Sequence, residues 1–166
     1  TTSNVVTITG IDELFADGNQ ELILITGDPT SASPFYDAIG ADDVSNPTLT
    51  NEDDDVAQIV FNLSDNVSEN RTSSILSVSL TSAINTDVIL NFTVVDDTEL
   101  KIDLIQLIFT KDNWNINQEI IVTGKDDYII DWDIGSEIII SVDDVISDIT
   151  YRTVLPTSVI VINVDN

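Results

Sequence analysis

The chain has 166 residues, with 30 acidic residues against 5 basic ones for a formal charge of −25 at pH 7, and it contains neither cysteine nor histidine. That balance excludes nucleic acid as a partner and disfavours an anionic membrane surface, because displacing counterions takes clustered Lys and Arg. Without thiols or imidazoles there is no zinc, copper or iron–sulfur site of the usual ligand types, and no Ser-His-Asp or Cys-His catalysis.

The apolar share is 42%, mostly Val, Ile and Leu. That is too much for a disordered acidic chain and is of the kind that suits pleated, half-buried surfaces. Residues that fill helix surfaces are scarce, and Thr, Ser, Asn and Asp punctuate the apolar runs. An all-β fold is expected. No apolar run is long enough to span a bilayer. The chain opens at Thr1 without an initiator Met or signal peptide, and reads as a piece taken from mid-chain.

In chain order, Val6-Thr7-Ile8-Thr9-Gly10-Ile11-Asp12-Glu13 comes first, followed by Asp17-Gly18-Asn19 and an apolar strand over residues 21–26. A loop then leads through Tyr36 to the acidic run Asn51-Glu52-Asp53-Asp54-Asp55. Seven strands are expected beyond it, near 56–62, 74–80, 86–95, 104–110, 117–123, 136–142 and 157–163. Residues 77–80 and 88–94 alternate apolar and polar, as in strands with one wet face.

The opening segment recurs as Ile120-Ile121-Val122-Thr123-Gly124-Lys125-Asp126-Asp127, with Asp131-Trp132-Asp133 matching Asp17-Gly18-Asn19. Tyr151 then matches Tyr36, and Asn163-Val164-Asp165-Asn166 matches the first acidic run. The period of about 112–115 residues is close to an immunoglobulin-like sandwich. The expectation is therefore tandem immunoglobulin-like antiparallel β-sandwich repeats. Residues 1–55 would be the C-terminal half of one repeat, ending in an acidic linker, and 56–166 a complete repeat. A half sandwich leaves strand edges unpaired, so strands from upstream in the chain, or from another copy by strand addition, are expected to complete it.

The loop after Gly124 carries Asp126, Asp127, Asp131 and Asp133 within eight positions. Asp165 closes the last strand, and Glu69 lies in a loop that can reach the same end. Six hard oxygen donors at one rim outline a calcium site, whereas magnesium keeps more of its waters. The plain alternative is a solvated turn, since Asp suits turns. Residues 51–55 likewise suit either a flexible acidic linker or a calcium-held joint. Trp114 is expected to pack a strand turn, and Trp132 to be a contact residue at the surface. Asn62, Asn66, Asn70 and Asn91 head Asn-x-Ser/Thr patterns of the kind chance supplies in such a composition.

The run Phe109-Thr110-Lys111-Asp112-Asn113-Trp114-Asn115, with Gln118, Val122-Thr123-Gly124, Asp126-Asp127 and Asp131-x-Asp133, resembles the Calx-beta-like repeats of large bacterial surface proteins. The likeness covers 56–166, and 5–55 as a truncated copy. It implies an immunoglobulin-like sandwich holding calcium through Glu69, Asp126, Asp127, Asp131, Asp133 and Asp165. For the first copy it implies Asp12, Glu13, Asp17, Asn19, Asp53 and Asp54, without a glutamate loop of its own. Where the family pattern reads Asp-Gly-Asp, this chain has Trp132 in the middle.

Aromatic residues are only 6% of the chain and stand apart from the acids, which argues against a glycosidase cleft. No enzymatic activity is expected. The expected function is structural or adhesive: a calcium-rigidified repeat region of an extracellular or cell-surface protein, with neighbouring repeats as its partners. The alternatives are a calcium-dependent accessory or carbohydrate-binding module of a larger secreted enzyme, and a strand-exchanging filament subunit.

Overall fold

The computed structural model describes residues 4–126, 129–130 and 132–165. They form two compact units, one made of residues 4–13 and 17–54, the other of 14–16 and the chain from 55 onward.

In the smaller unit, β1 (Gln20–Ile23) pairs antiparallel with β2 (Thr48–Asn51), Gln20 opposite Asn51 and Ile23 opposite Thr48. The strand expected over 21–26 stops early. At Thr26 both the backbone N–H and the hydroxyl donate to the Asn46 side-chain oxygen (2.8 and 2.9 Å), which takes the backbone out of the ladder. Between the strands lie one helical turn, α1 (Pro34–Asp37), and a 3₁₀ turn at Ala41–Asp43. Proline at the start of α1 supplies a preset φ and lacks only an N–H that the first turn leaves unpaired anyway. Tyr36 stands exposed on α1. Residues 5–9 belong to no strand.

The larger unit is a two-layer sandwich. Its strands are β3 (Ile59–Leu63), β4 (Val67–Ser68), β5 (Ser73–Leu80), β6 (Val88–Val94), β7 (Leu100–Ile102), β8 (Gln106–Phe109), β9 (Gln118–Gly124), β10 (Ile134–Val142) and β11 (Thr157–Val164). One sheet has the order β4-β11-β10-β6-β8 and the other β3-β5-β9-β7. All pairings are antiparallel except β4 with β11.

Period-2 alternation turns one side of each strand inward. Leu76 and Val78 of β5 and Ile120 and Val122 of β9 meet Leu90 and Phe92 of β6, Ile138 and Ile140 of β10 and Val161 of β11 in one core. Each such side chain contributes about 1.5–3 kcal/mol on full burial. The chain is thus nearly all-β, as composition implied. All seven expected strands of this unit are present, together with β4 and β7.

At one end of the sandwich, fully buried Tyr151 donates its hydroxyl to Ser82 O and accepts the Ser82 N–H, at 3.1 and 3.0 Å. Trp114 packs against the core, and its carbonyl accepts the Leu80 N–H (2.9 Å). Trp132 is exposed. Among the described residues no helix is long and apolar enough to cross a membrane.

Candidate metal centre

The other end of the sandwich gathers oxygen donors around Gly124, the last residue of β9. Its N–H donates to Thr72 O (3.1 Å), and a Cβ here would overlap Ser68 O and the Asn163 side chain. The absent side chain is what lets β9, β4 and β11 come together. Asn163, buried on β11, donates its amide to Glu99 Oε2 (3.0 Å) and Lys125 O (2.9 Å). Lys125 N–H in turn donates to Glu99 O (2.8 Å).

β4 runs parallel to β11 with Ser68 opposite Val164, so Glu69 and Asp165 follow on adjacent strands. Glu69 N–H donates to Val164 O (3.0 Å), and its side chain is buried. Asp165 N–H donates to Asp133 Oδ1 (3.3 Å), while Asp165 Oδ2 accepts the Trp132 N–H (3.1 Å). The second oxygen, Asp165 Oδ1, is buried without a hydrogen-bond donor, as is Asn163 Oδ1. Trp132 takes a left-handed φ of 76°. In the adjoining loop, the Thr98 hydroxyl and N–H hold the Asp96 carboxyl below the usual aspartate range.

Of the six residues expected at this rim, Glu69, Asp133 and Asp165 are tied to neighbouring strand ends, and Asp126 lies two residues beyond the end of β9. Asp127 and Asp131 lie outside the described residues. Among the described residues, no three carboxylates of this rim approach within 4.8 Å of one another. Glu99 and Asn163 were not anticipated. Glu99 hides in the run Asp96-Asp97-Thr98-Glu99 ahead of the three-residue strand β7, and its burial is visible only once β7 pairs with β9. Asn163 has its match, Asn51, at the same place in the earlier acidic run, a signal that marks it as more than a tail residue.

The smaller unit has a corresponding rim. Asn51 donates its amide to Ile11 O (3.1 Å), Gly18 N–H donates to Asp53 Oδ2 (2.5 Å), and Asp53 N–H donates to Asn19 Oδ1 (2.9 Å). A Cβ on Gly10 would overlap the Asn51 side chain, and Gly18 has a φ of 83°. Asp12 and Asp54 can each bring a carboxylate oxygen to within 4.8 Å of the other, and they line one open recess with Gly10, Ile11, Asn51 and Glu52. Asp17 instead accepts from Gln20 (3.2 Å), and Glu13 stands exposed.

These donors are all oxygens, and the orphaned Asp165 Oδ1 suits a hard cation. A buried carboxylate oxygen with no donor is costly unless a charge or hydrogen bond compensates it. Calcium, which takes six to eight oxygens, matches the chemistry of these donors, although no three of the described rim carboxylates converge on one point. Glu69, Asp126, Asp133 and Asp165 would hold it, with Glu99 behind them, and the ion would supply charge neutralisation and a cross-link between strand ends.

No family model matches the chain, and no curated protein is similar to it. Among solved structures, SSP-19 of Caenorhabditis elegans, described as an MSP-domain protein like family member, is similar at a TM-score of 0.40 and 9% identity, covering 61% of this chain and 92% of its own.

Proposed function

We propose that this chain is a structural repeat region of an extracellular or cell-surface protein, stiffened by calcium at the rims of its β-sandwich units. The observation that carries it is Asp165. Its buried, donor-free Oδ1 sits at a strand end beside buried Glu69, in a chain with a formal charge of −25. A cation there removes both the local orphan and part of the global self-repulsion. The matching rim bonds of the smaller unit support reading the chain as repeated units of one kind, and the Calx-beta-like motif pattern supports calcium as the ion. Catalysis has no place in this account.

Titration calorimetry of the whole chain with calcium tests it. Binding is expected with a dissociation constant of about 10⁻⁴–10⁻³ M, as for extracellular modules. Asp165→Asn should weaken it by about tenfold or more, the loss of one ligand charge being at least about 1.4 kcal/mol. No calcium heat, or an isotherm unaltered in Asp165→Asn, would refute the site.

A further inference from the structure

We propose that the side of the larger unit where its two sheets part, between β6 and β7, binds a small amphipathic anion: a monocarboxylate with an apolar tail. The groove exists because β8 stops short. It pairs with β6 only from Val88 to Asn91. Beyond that point the Phe92 N–H, bonded to Ile105 O (2.8 Å), is the last link among the described residues. On the facing sheet β7 is the edge strand and has three residues. Between them lies an open cavity of about 520 Å³, within the range of small-molecule sites. Its apolar wall is Phe92, Val94, Leu100, Ile102 and Ile105. Phe92 and Leu100 belong to the core, but Ile105 is 72% exposed, so a ligand lying here covers apolar area that the fold leaves wet.

The mouth of this cavity is cationic. Lys101 and Lys125 line it, and both also line an adjoining recess of about 380 Å³ together with Arg71 and Thr98. Three of the chain's five basic residues thus stand together in a molecule with 30 acidic ones. Asp97 lines the first cavity and Asp126 the second. Lys125 Nζ donates to the backbone carbonyl of Asp97. The Lys101 ammonium and the Arg71 guanidinium have no hydrogen-bond or ion-pair partner among the described residues. A lysine on an edge strand is ordinary protection against edge-to-edge pairing, which accounts for Lys101 by itself. It does not account for Arg71, which comes to the same recess from the turn between β4 and β5.

The ligand's chemistry follows from the two halves. Unpaired cations at the mouth call for a negative charge, and the wall of Phe92 and Ile105 calls for an apolar body beside it. A polyanion is disfavoured, because a chain at −25 repels each further charge. A neutral apolar molecule leaves the cations unused, and a bare anion leaves the wall wet. The groove is also separate from most of the candidate metal centre: Glu69, Asp133 and Asp165 line neither recess.

Titration calorimetry of the whole chain with decanoate, below its micelle-forming concentration and with chelator present, tests the proposal. Saturable binding of one decanoate per chain is expected, weakened by added salt. Decanol and acetate each carry one half of the pattern and should bind at least about tenfold more weakly. Lys101→Glu should weaken decanoate binding by about tenfold or more, and Ile105→Gln should also weaken it. Lys111→Glu makes the same change of charge at a residue that lines neither recess, and should leave binding unaltered. No saturable decanoate heat overturns the proposal. Decanol binding as tightly as decanoate reduces the groove to an apolar patch, and inorganic phosphate doing so reduces it to a bare anion recess; either overturns it. Equal losses in Lys101→Glu and Lys111→Glu trace the effect to net charge and overturn it as well.

Discussion

Asp148 lies at the end of the sandwich away from the rim and is almost wholly buried. Burial opposes its ionisation, but hydrogen bonds from Thr86 N–H, the Thr150 N–H and hydroxyl and Asn85 N–H outweigh that and hold its carboxyl below the usual aspartate range. A depressed folded value means stability that is present above the ordinary aspartate range and lost as pH falls through the folded value. Asp148→Ala should cost about 2–4 kcal/mol at neutral pH by stranding these donors, and should flatten the acid limb of a plot of melting temperature against pH. An unchanged acid limb would assign that pH dependence to other carboxylates. Residue roles of this kind were only half legible. The repeat marked Tyr151 only as the match of Tyr36, which is exposed, whereas Tyr151 is fully buried against Ser82. Thr150 is the local half of the Asp148 cage, whereas the donors from Asn85 and Thr86 come from a segment more than sixty residues earlier and are visible only in the fold.

At the scale of elements, long alternating runs were readable and short ones were not. β5, β6, β9, β10 and β11 each carry enough alternation to fix their inner face, and each lies close to its expected range. β4 and β7 have two and three residues and exist through their neighbours, β11 and β9. The same dependence explains residues 5–9: their pattern is that of β9, but a strand needs a partner, and among its described residues the smaller unit has none of the β5 or β7 type. The close approach at Gly124 gives a direct test. In Gly124→Ala the new methyl group meets backbone of β4, whereas in Gly10→Ala it meets only the side chain of Asn51, which can move. Chemical denaturation should show Gly124→Ala destabilised by about 1–3 kcal/mol, with Gly10→Ala near neutral. Equal effects would mean that β4 is not held as tightly as its contacts imply.

At the scale of the whole molecule, net charge and rim design are one problem. Thirty carboxylates against five cations oppose compaction, and several of them stand at strand ends. The spacing of the acids pointed to the loops expected to hold a cation. Which oxygens are buried and lack donors depended on the fold. Asp165 Oδ1 loses its access to water because β4 and the loop carrying Trp132 and Asp133 close over the end of β11. An ion held by the folded rim and not by the unfolded chain stabilises the fold by about 2.7 kcal/mol at a hundredfold excess over its dissociation constant. The most direct measurement is the melting temperature of the whole chain in excess calcium, in excess magnesium and with a chelator, at constant ionic strength. The account predicts a clear rise with calcium, little or none with magnesium, and loss of the rise in Asp165→Asn. Superimposable curves under all three conditions would contradict it.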